Sequence, residues 1–172
     1  MQMLDAGGIP PLTDGRRRPD GDNPRGYYEF ERVKQLENDS SWLDRACGKA
    51  VKVISALLYH LPANREYDLI FMTRDMDEIL ASQKRMLDNS GHADPGPPDF
   101  QMKEHFENHL RELGKWLENA SHLKRILYCS FNRLLSDPEP ALDDIRSFCR
   151  MRLDGASMLR TIDRSLYRNK SA

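Results

Sequence analysis

The apolar positions of this chain change their spacing several times, and each change marks an element. From Tyr28 onward, Phe30, Val33 and Leu36 recur at helical spacing until Asn38-Asp39-Ser40-Ser41 breaks the run. Ser41 is placed to cap a short helix carrying Trp42, Leu43 and Ala46. Ala50-Val51-Lys52-Val53-Ile54 is short and β-branched, the pattern of a buried strand. A helical turn over 56–61 follows, closed by Pro62.

The clearest junction comes next. Tyr67-Asp68-Leu69-Ile70-Phe71-Met72 reads as a strand, and Asp75 opens a helix. With Glu78 three residues later, Asp75 gives a capping-box pattern in which Asp replaces Ser or Thr. Ile79, Met86 and Leu87 carry the apolar stripe of that helix to Asp88, and 89–98 is an exposed loop. A long helix is expected over 100–120, with Phe106, Leu110, Leu113 and Leu117 on one face. A third strand spans 125–131. Asp137-Pro138 then starts a helix carrying Leu142, Ile145 and Phe148, and a last short helix holds Met158, Leu159 and Ile162. Before Tyr28, turn formers follow one another (Gly7-Gly8, Pro10-Pro11, Asp14-Gly15, Asp20-Gly21, Asn23-Pro24), and a loop so long is either functional or disordered.

Strands alternating with helices predict an α/β fold with a mainly parallel sheet. The 172 residues suit one domain. Three strands make a thin sheet for that length, as though one were missing.

Charge and composition narrow the partners. Lys and Arg number 26 against 27 Asp and Glu, for a net charge of -1, so no global positive field exists to attract a nucleic acid polymer. The mean hydropathy is -0.71 and no apolar run could span a membrane. MQMLDAGGIPP lacks the basic-then-apolar pattern of a signal peptide. Cys47, Cys129 and Cys149 are far apart and odd in number, fit neither a disulfide framework nor a metal knuckle, and read as small apolar residues in a reducing, cytoplasmic protein. His105 and His109 lie four apart but lack a third ligand, so no metal is expected. Arg16-Arg17-Arg18 reads as a solvated basic patch.

In a parallel α/β sheet, ligands bind beyond the carboxyl ends of the strands, beside helix N-termini. Phe71-Met72-Thr73-Arg74-Asp75 is such a place, and Ser82 lies eight residues after Arg74. An anion there would take a guanidinium fork and a hydroxyl hydrogen bond. The spacing alone is worth little, since Arg32 and Ser40 repeat it with no strand before them. The strand-Arg-cap-helix setting is what raises it.

With that setting, YDLIFMTRDMDEILASQ resembles the 3'-phosphate motif of sulfotransferases that use 3'-phosphoadenylyl sulfate. GGIPPLTDGRRRPDGDNPRGYYEFERVKQL looks like the corresponding loop and helix of bacterial members. GKAVKVISALLYHLP is similar to their second strand, RILYCSFNRLLSDP to the later strand beside the adenine, and DRSLYRNK to a C-terminal stretch. The resemblance covers nearly the whole chain. It implies a P-loop-kinase-like parallel sheet flanked by helices, and sulfuryl transfer from 3'-phosphoadenylyl sulfate, as cosubstrate, to a hydroxyl or amine acceptor. It further implies that Arg74 and Ser82 hold the 3'-phosphate, Phe131 lies by the adenine, and Lys52 sits near the transferred group.

The chain also departs from the family. No Pro-Arg-Ser-Gly-Thr loop cradles a 5'-phosphosulfate, and MQMLDAGG looks like the end of the helix that should follow one. The first βα unit is therefore expected to be missing. A recorded start downstream of the true one is the favoured account, ahead of a natural inactive remnant or a unit supplied by a partner chain. Such a sheet is expected to expose an apolar strip. Where small-alcohol enzymes carry a catalytic His after the strand lysine, this chain has Val53-Ile54-Ser55, and Glu29 becomes the candidate base.

Plainer readings stand beside each assignment. Arg74 pairs with a carboxylate such as Asp77, Lys52 snorkels from a strand end, Glu29 is an ordinary helix-start glutamate, and Phe131 is core. A nucleotide- or protein-binding domain without catalysis is the rival function. Acceptor choice would live in 89–98 and the helix after it, which carry no recognisable signal, and nothing in the sequence sets an oligomeric state.

Overall fold

The computed structural model describes residues 1–21, 23–89 and 97–166. Most of the 89–98 loop and the end of DRSLYRNK lie outside the described residues. In chain order the helices and strands are α1 (Gln2–Ala6), β1 (Tyr67–Thr73), α2 (Met76–Asn89), α3 (Asp99–Asn119), β2 (Leu123–Ser130), α4 (Phe131–Ser136), α5 (Pro138–Cys149) and α6 (Gly155–Arg160). Between α1 and β1 come three 3-10 helices, Glu31–Gln35, Ser41–Ala46 and Ser55–His60, and a fourth, Arg164–Leu166, follows α6. The fold is mixed α/β, with a small parallel sheet flanked by helices.

Two compact units share the chain. The first comprises Met1–Arg65 and Leu142–Ile162, the second Glu66–Ala141 and Asp163–Ala172, so the boundary falls inside α5.

In the second unit β1 and β2 pair in parallel, from Asp68 opposite Arg125 to Thr73 opposite Ser130. The opposed pair Asp68 and Arg125 holds the register, Arg125 forking onto both carboxylate oxygens, with Nε 2.9 Å from Oδ1. A slip of one residue would send these side chains to opposite faces. The expected strands at 67–72 and 125–131 are thus present, with slightly different ends. Parallel sheets are usually covered on both faces. Here Met72 is 49% and Tyr128 58% exposed, and the register puts them on opposite faces. Of the face expected on α3, Leu113 and Leu117 are buried while Leu110 is exposed. Trp116 and Tyr67 pack edge-on against His122 from 5.7 and 6.0 Å.

The expected strand at 50–54 does not form. Ala50 N–H donates to the Pro10 carbonyl at 3.0 Å and the Ala50 carbonyl accepts from Leu12 N–H at 2.8 Å, making one isolated parallel bridge, Pro11 to Ala50. Beyond it Val51, Lys52, Val53 and Ile54 enter no ladder. The partner segment explains this: Pro10 and Pro11 have no N–H to give, and beyond them the segment turns to residues 29–31 instead, the Thr13 hydroxyl and Asp14 N–H donating to the Glu29 carbonyl and the Asp14 carboxylate accepting from Glu31 N–H. β-branched sequence without a partner edge is not a strand.

The first unit is built on short helices. Phe30, Val33 and Leu36, expected on an α-helix, lie in and beside the 3-10 helix Glu31–Gln35, and all three are buried. Their spacing is three residues twice over, which at 3.0 residues per turn stacks them on one face. Ser41 caps nothing with its side chain: the helix starts after Ser40, and Asp39 Oδ1 accepts from Ser41 N–H at 3.0 Å. Trp42, 1% exposed, lies edge-on to Phe30 at 5.4 Å and donates its indole N–H to the Asp39 carbonyl at 3.1 Å. α6 is capped by Asp154, which accepts from Ser157 N–H, and it ends at Arg160, so Ile162 lies outside it. Met158, fully buried, leaves no room for a side chain at Gly7: a Cβ there would sit 2.8 Å from its Sδ. Among the described residues no helix is long and apolar enough to cross a membrane.

Replacing Trp42 by Ala removes the largest buried side chain of the first unit. We expect a loss of about 3–5 kcal/mol, typical of large aromatic truncations, read as a lowered urea midpoint by tryptophan-independent circular dichroism.

Candidate functional site

β1 ends at Thr73, α2 begins at Met76, and Arg74 and Asp75 make the connection. Asp75 is the helix cap: its Oδ1 accepts from the N–H groups of Asp77 at 3.0 Å and Glu78 at 3.2 Å. The other half of the expected capping box is absent. Asp75 N–H donates to Asn132 Oδ1 at 3.3 Å, and the Glu78 side chain turns inward.

Glu78 is 2% exposed, among the most buried side chains in the chain. Its Oε2 accepts from Arg74 Nε at 3.0 Å and its Oε1 from Asn132 Nδ2 at 2.9 Å. The Arg74 guanidinium also lies over the Phe131 ring, 4.8 Å from its centroid. Arg74 is therefore held between a buried carboxylate and an aromatic face. Its carboxylate partner is Glu78 and not Asp77, which instead accepts from Lys103 Nζ at 2.7 Å.

Ser82, half-buried, lies four residues beyond Glu78 on α2. Residues four apart share a helix face, and helical side chains lean toward the N-terminus. Glu78 and Ser82 thus form one stripe that leads back to Arg74. Phe131 was expected at the end of a strand; it is instead the first residue of α4, because the Ser130 hydroxyl accepts from Arg133 N–H at 3.3 Å and ends the strand as a helix cap. The sequence reading missed Asn132, which lies 57 residues from Asp75 and carries no local signal. The pairing of Glu78 with Arg74 was legible in their four-residue spacing but was assigned to the cap.

The first unit holds the other two candidates. Glu29 lies in extended loop two residues before the 3-10 helix, not at a helix start. Its Oε1 accepts from Lys52 Nζ and Arg17 Nη1, each at 3.2 Å. Lys52 Nζ also donates to the Tyr27 carbonyl at 3.2 Å. Arg17, read as one of a solvated run, stacks 3.4 Å from the Tyr27 ring centroid. Burial, and then a hydrogen bond to Asp20, push the Tyr27 phenol up. Asp14 ties the loop down, accepting from Glu31 N–H at 2.8 Å, and that bond foremost holds its carboxyl below the usual range. Burial and then the Lys52 charge hold the Met1 amino group below its ordinary value.

Lys52 and Glu29 are thus brought together in one unit, and Arg74 and Phe131 in the other, which also carries Ser82 on α2. Comparison with protein-family models, curated proteins and solved structures gives no match to this chain. The chemistry rests on the side chains themselves.

A cavity of about 580 Å³ in the first unit, lined by Gln2, Asp5, Arg25, Tyr28 and Arg160 among others, contains none of the five candidates. The second Arg/Ser spacing is an ordinary ion pair: Arg32 Nη2 binds Asp39 Oδ2 and the Ser41 hydroxyl. Among the described residues no three His, Cys, Asp or Glu side chains gather as a metal site.

Two outcomes follow from these contacts. Asp75→Ala removes the acceptor for two orphan N–H groups of α2 and should cost about 0.5–2 kcal/mol in a urea titration. Asp39 has its pKa lowered to about 2, chiefly by the Arg32 hydrogen bond. A carboxyl depressed on folding stabilises above its unfolded pKa of about 3.9 and loses that contribution as pH falls through the folded value. Carboxyl NMR should place the Asp39 midpoint near 2, and Arg32→Ala should return it toward the ordinary range.

Proposed function

We propose that the chain is a sulfotransferase-type protein with a P-loop-kinase-like parallel sheet, binding 3'-phosphoadenylyl sulfate for transfer to a hydroxyl or amine acceptor. One observation carries this reading. At the carboxyl end of a parallel strand, Arg74 is clamped by Glu78 and stacked on Phe131, with Ser82 one turn further along the same stripe. That arrangement offers a 3'-phosphate a guanidinium and a hydroxyl beside an aromatic ring suited to adenine stacking.

In this reading the reaction balances as follows. The acceptor O–H or N–H gives its proton to Glu29, and the acceptor atom attacks sulfur in line. The bond from sulfur to the bridging oxygen breaks, and adenosine 3',5'-bisphosphate leaves with the electron pair. Lys52 stabilises the charge that develops on the sulfuryl and bridging oxygens. Because Arg17 and Lys52 both hold Glu29 Oε1, the proton is taken by Oε2. The rival reading, binding without turnover, is favoured for residues 1–172 themselves by one fact: they include no Pro-Arg-Ser-Gly-Thr loop.

Calorimetry with adenosine 3',5'-bisphosphate tests the reading. The 172-residue chain should bind it weakly, and Arg74→Ala should weaken it by a further factor of about ten to a hundred. The basis is about 1.5–3 kcal/mol per charged hydrogen bond and about 1.4 kcal/mol per tenfold. Radiolabelled sulfate transfer by residues 1–172 should be undetectable, since transfer needs the donor's 5' end held in place. Equal affinity in wild type and Arg74→Ala would remove the 3'-phosphate site.

A further inference from the structure

Glu78 is more buried than a capping residue needs to be. A carboxylate removed from water is stable only when its oxygens find donors, and here each finds one: Oε2 from Arg74, Oε1 from Asn132. Asn132 is itself held in one orientation. Its Nδ2 donates to Glu78 while its Oδ1 accepts from Asp75 N–H, so turning the amide over would break both bonds. The chain Asp75–Asn132–Glu78–Arg74 thus runs from the helix cap to the guanidinium, linking the start of α2 to the start of α4.

A guanidinium has two edges that can take an anion as a fork, and Glu78 occupies Nε. With Nε fastened and the plane set against Phe131, the Nη edge acquires a defined direction. We propose that Glu78, oriented by Asn132, is the positioning residue that aims Arg74 at a nucleotide 3'-phosphate, and so lets the site prefer 3'- over 5'-phosphorylated adenosine. The inference rests on the 3'-phosphate reading above. Glu78 does not touch the nucleotide; it acts through Arg74.

The carboxylate is essential to this role because an amide cannot replace it. In Glu78→Gln one oxygen becomes an NH₂ group facing either Arg74 Nε or Asn132 Nδ2, so one donor must meet another. If the NH₂ faces Asn132, turning that amide over to accept it would leave Asp75 N–H without its partner.

The test compares two isomers of equal charge, adenosine 3'-phosphate and adenosine 5'-phosphate. Each is titrated by ¹H–¹⁵N NMR, which reads millimolar dissociation constants, into the full 172-residue chain and its variants. The readout is the ratio of the two constants. Wild type should prefer the 3'-isomer, and Glu78→Gln and Asn132→Ala should each reduce that preference by about tenfold, or about 1.4 kcal/mol. A purely structural loss weakens both isomers together and leaves the ratio unchanged, which would overturn the proposal. Should Glu78→Gln fail to fold, Asn132→Ala, which leaves the carboxylate in place, decides. If Arg74→Ala abolishes the preference while both other variants keep it, the 3'-phosphate reading stands and the positioning role falls. If wild type shows no preference, the 3'-phosphate reading itself fails.

Discussion

A carboxylate withdrawn from water must be surrounded by donors, and in the second unit that requirement organises the carboxyl end of the sheet. Glu78 lies on α2, Arg74 directly after β1, and Asn132 on α4, so one buried side chain ties three parts of the architecture to one point. Removing one donor would leave a buried charge short of partners, which is costlier than never having buried it. The strand ends, helix starts and guanidinium are consequently a single arrangement rather than three neighbouring ones.

The first unit handles charge differently. Glu29 is partly open to solvent, and one of its oxygens is shared by two cations that are themselves partly exposed. Ion pairs of this kind are worth little to stability. Their effect is local: Arg17, Tyr27, Glu29 and Lys52 are tied to one another in a turn-rich stretch where composition alone suggested either function or disorder. Glu78 is paired in a dry environment; the Glu29 cluster gathers charge where water reaches it.

How far the sequence disclosed this depends on the range of the interactions. Strand 67–72 and the helix after it were legible because apolar run, cap and apolar stripe all lie within one window, and α5 announced itself through Pro138. Phe30, Val33 and Leu36 gave the right buried face but the wrong helix, since a three-residue period was read as a 3.6-residue one. Residues 50–54 failed for the opposite reason. Their β-branched pattern is real, but a strand is a property of two segments, and the one beside it starts with prolines. At the candidate site Arg74 and Ser82 could be read from local spacing. Asn132 could not, because its partners are more than fifty residues away, and Glu78 looked like a cap because three- and four-residue spacings coincide at the start of a helix.

The boundary inside α5 affects how the chain comes to be folded. The first unit is not contiguous: Asp154 N–H donates to the Gly7 carbonyl at 3.2 Å, and α6 packs on α1 across about the whole length of the chain. The second unit draws most of its residues from one stretch, Glu66–Ala141. On a ribosome, residues 1–65 therefore emerge with an unfinished core and wait, apolar side chains in reach of solvent, until 142–162 have been made. The stretch between them has its sheet and helices at hand first. A segment made before the second unit is thus completed only after it, and the packing of Met158 against Gly7 marks that closure.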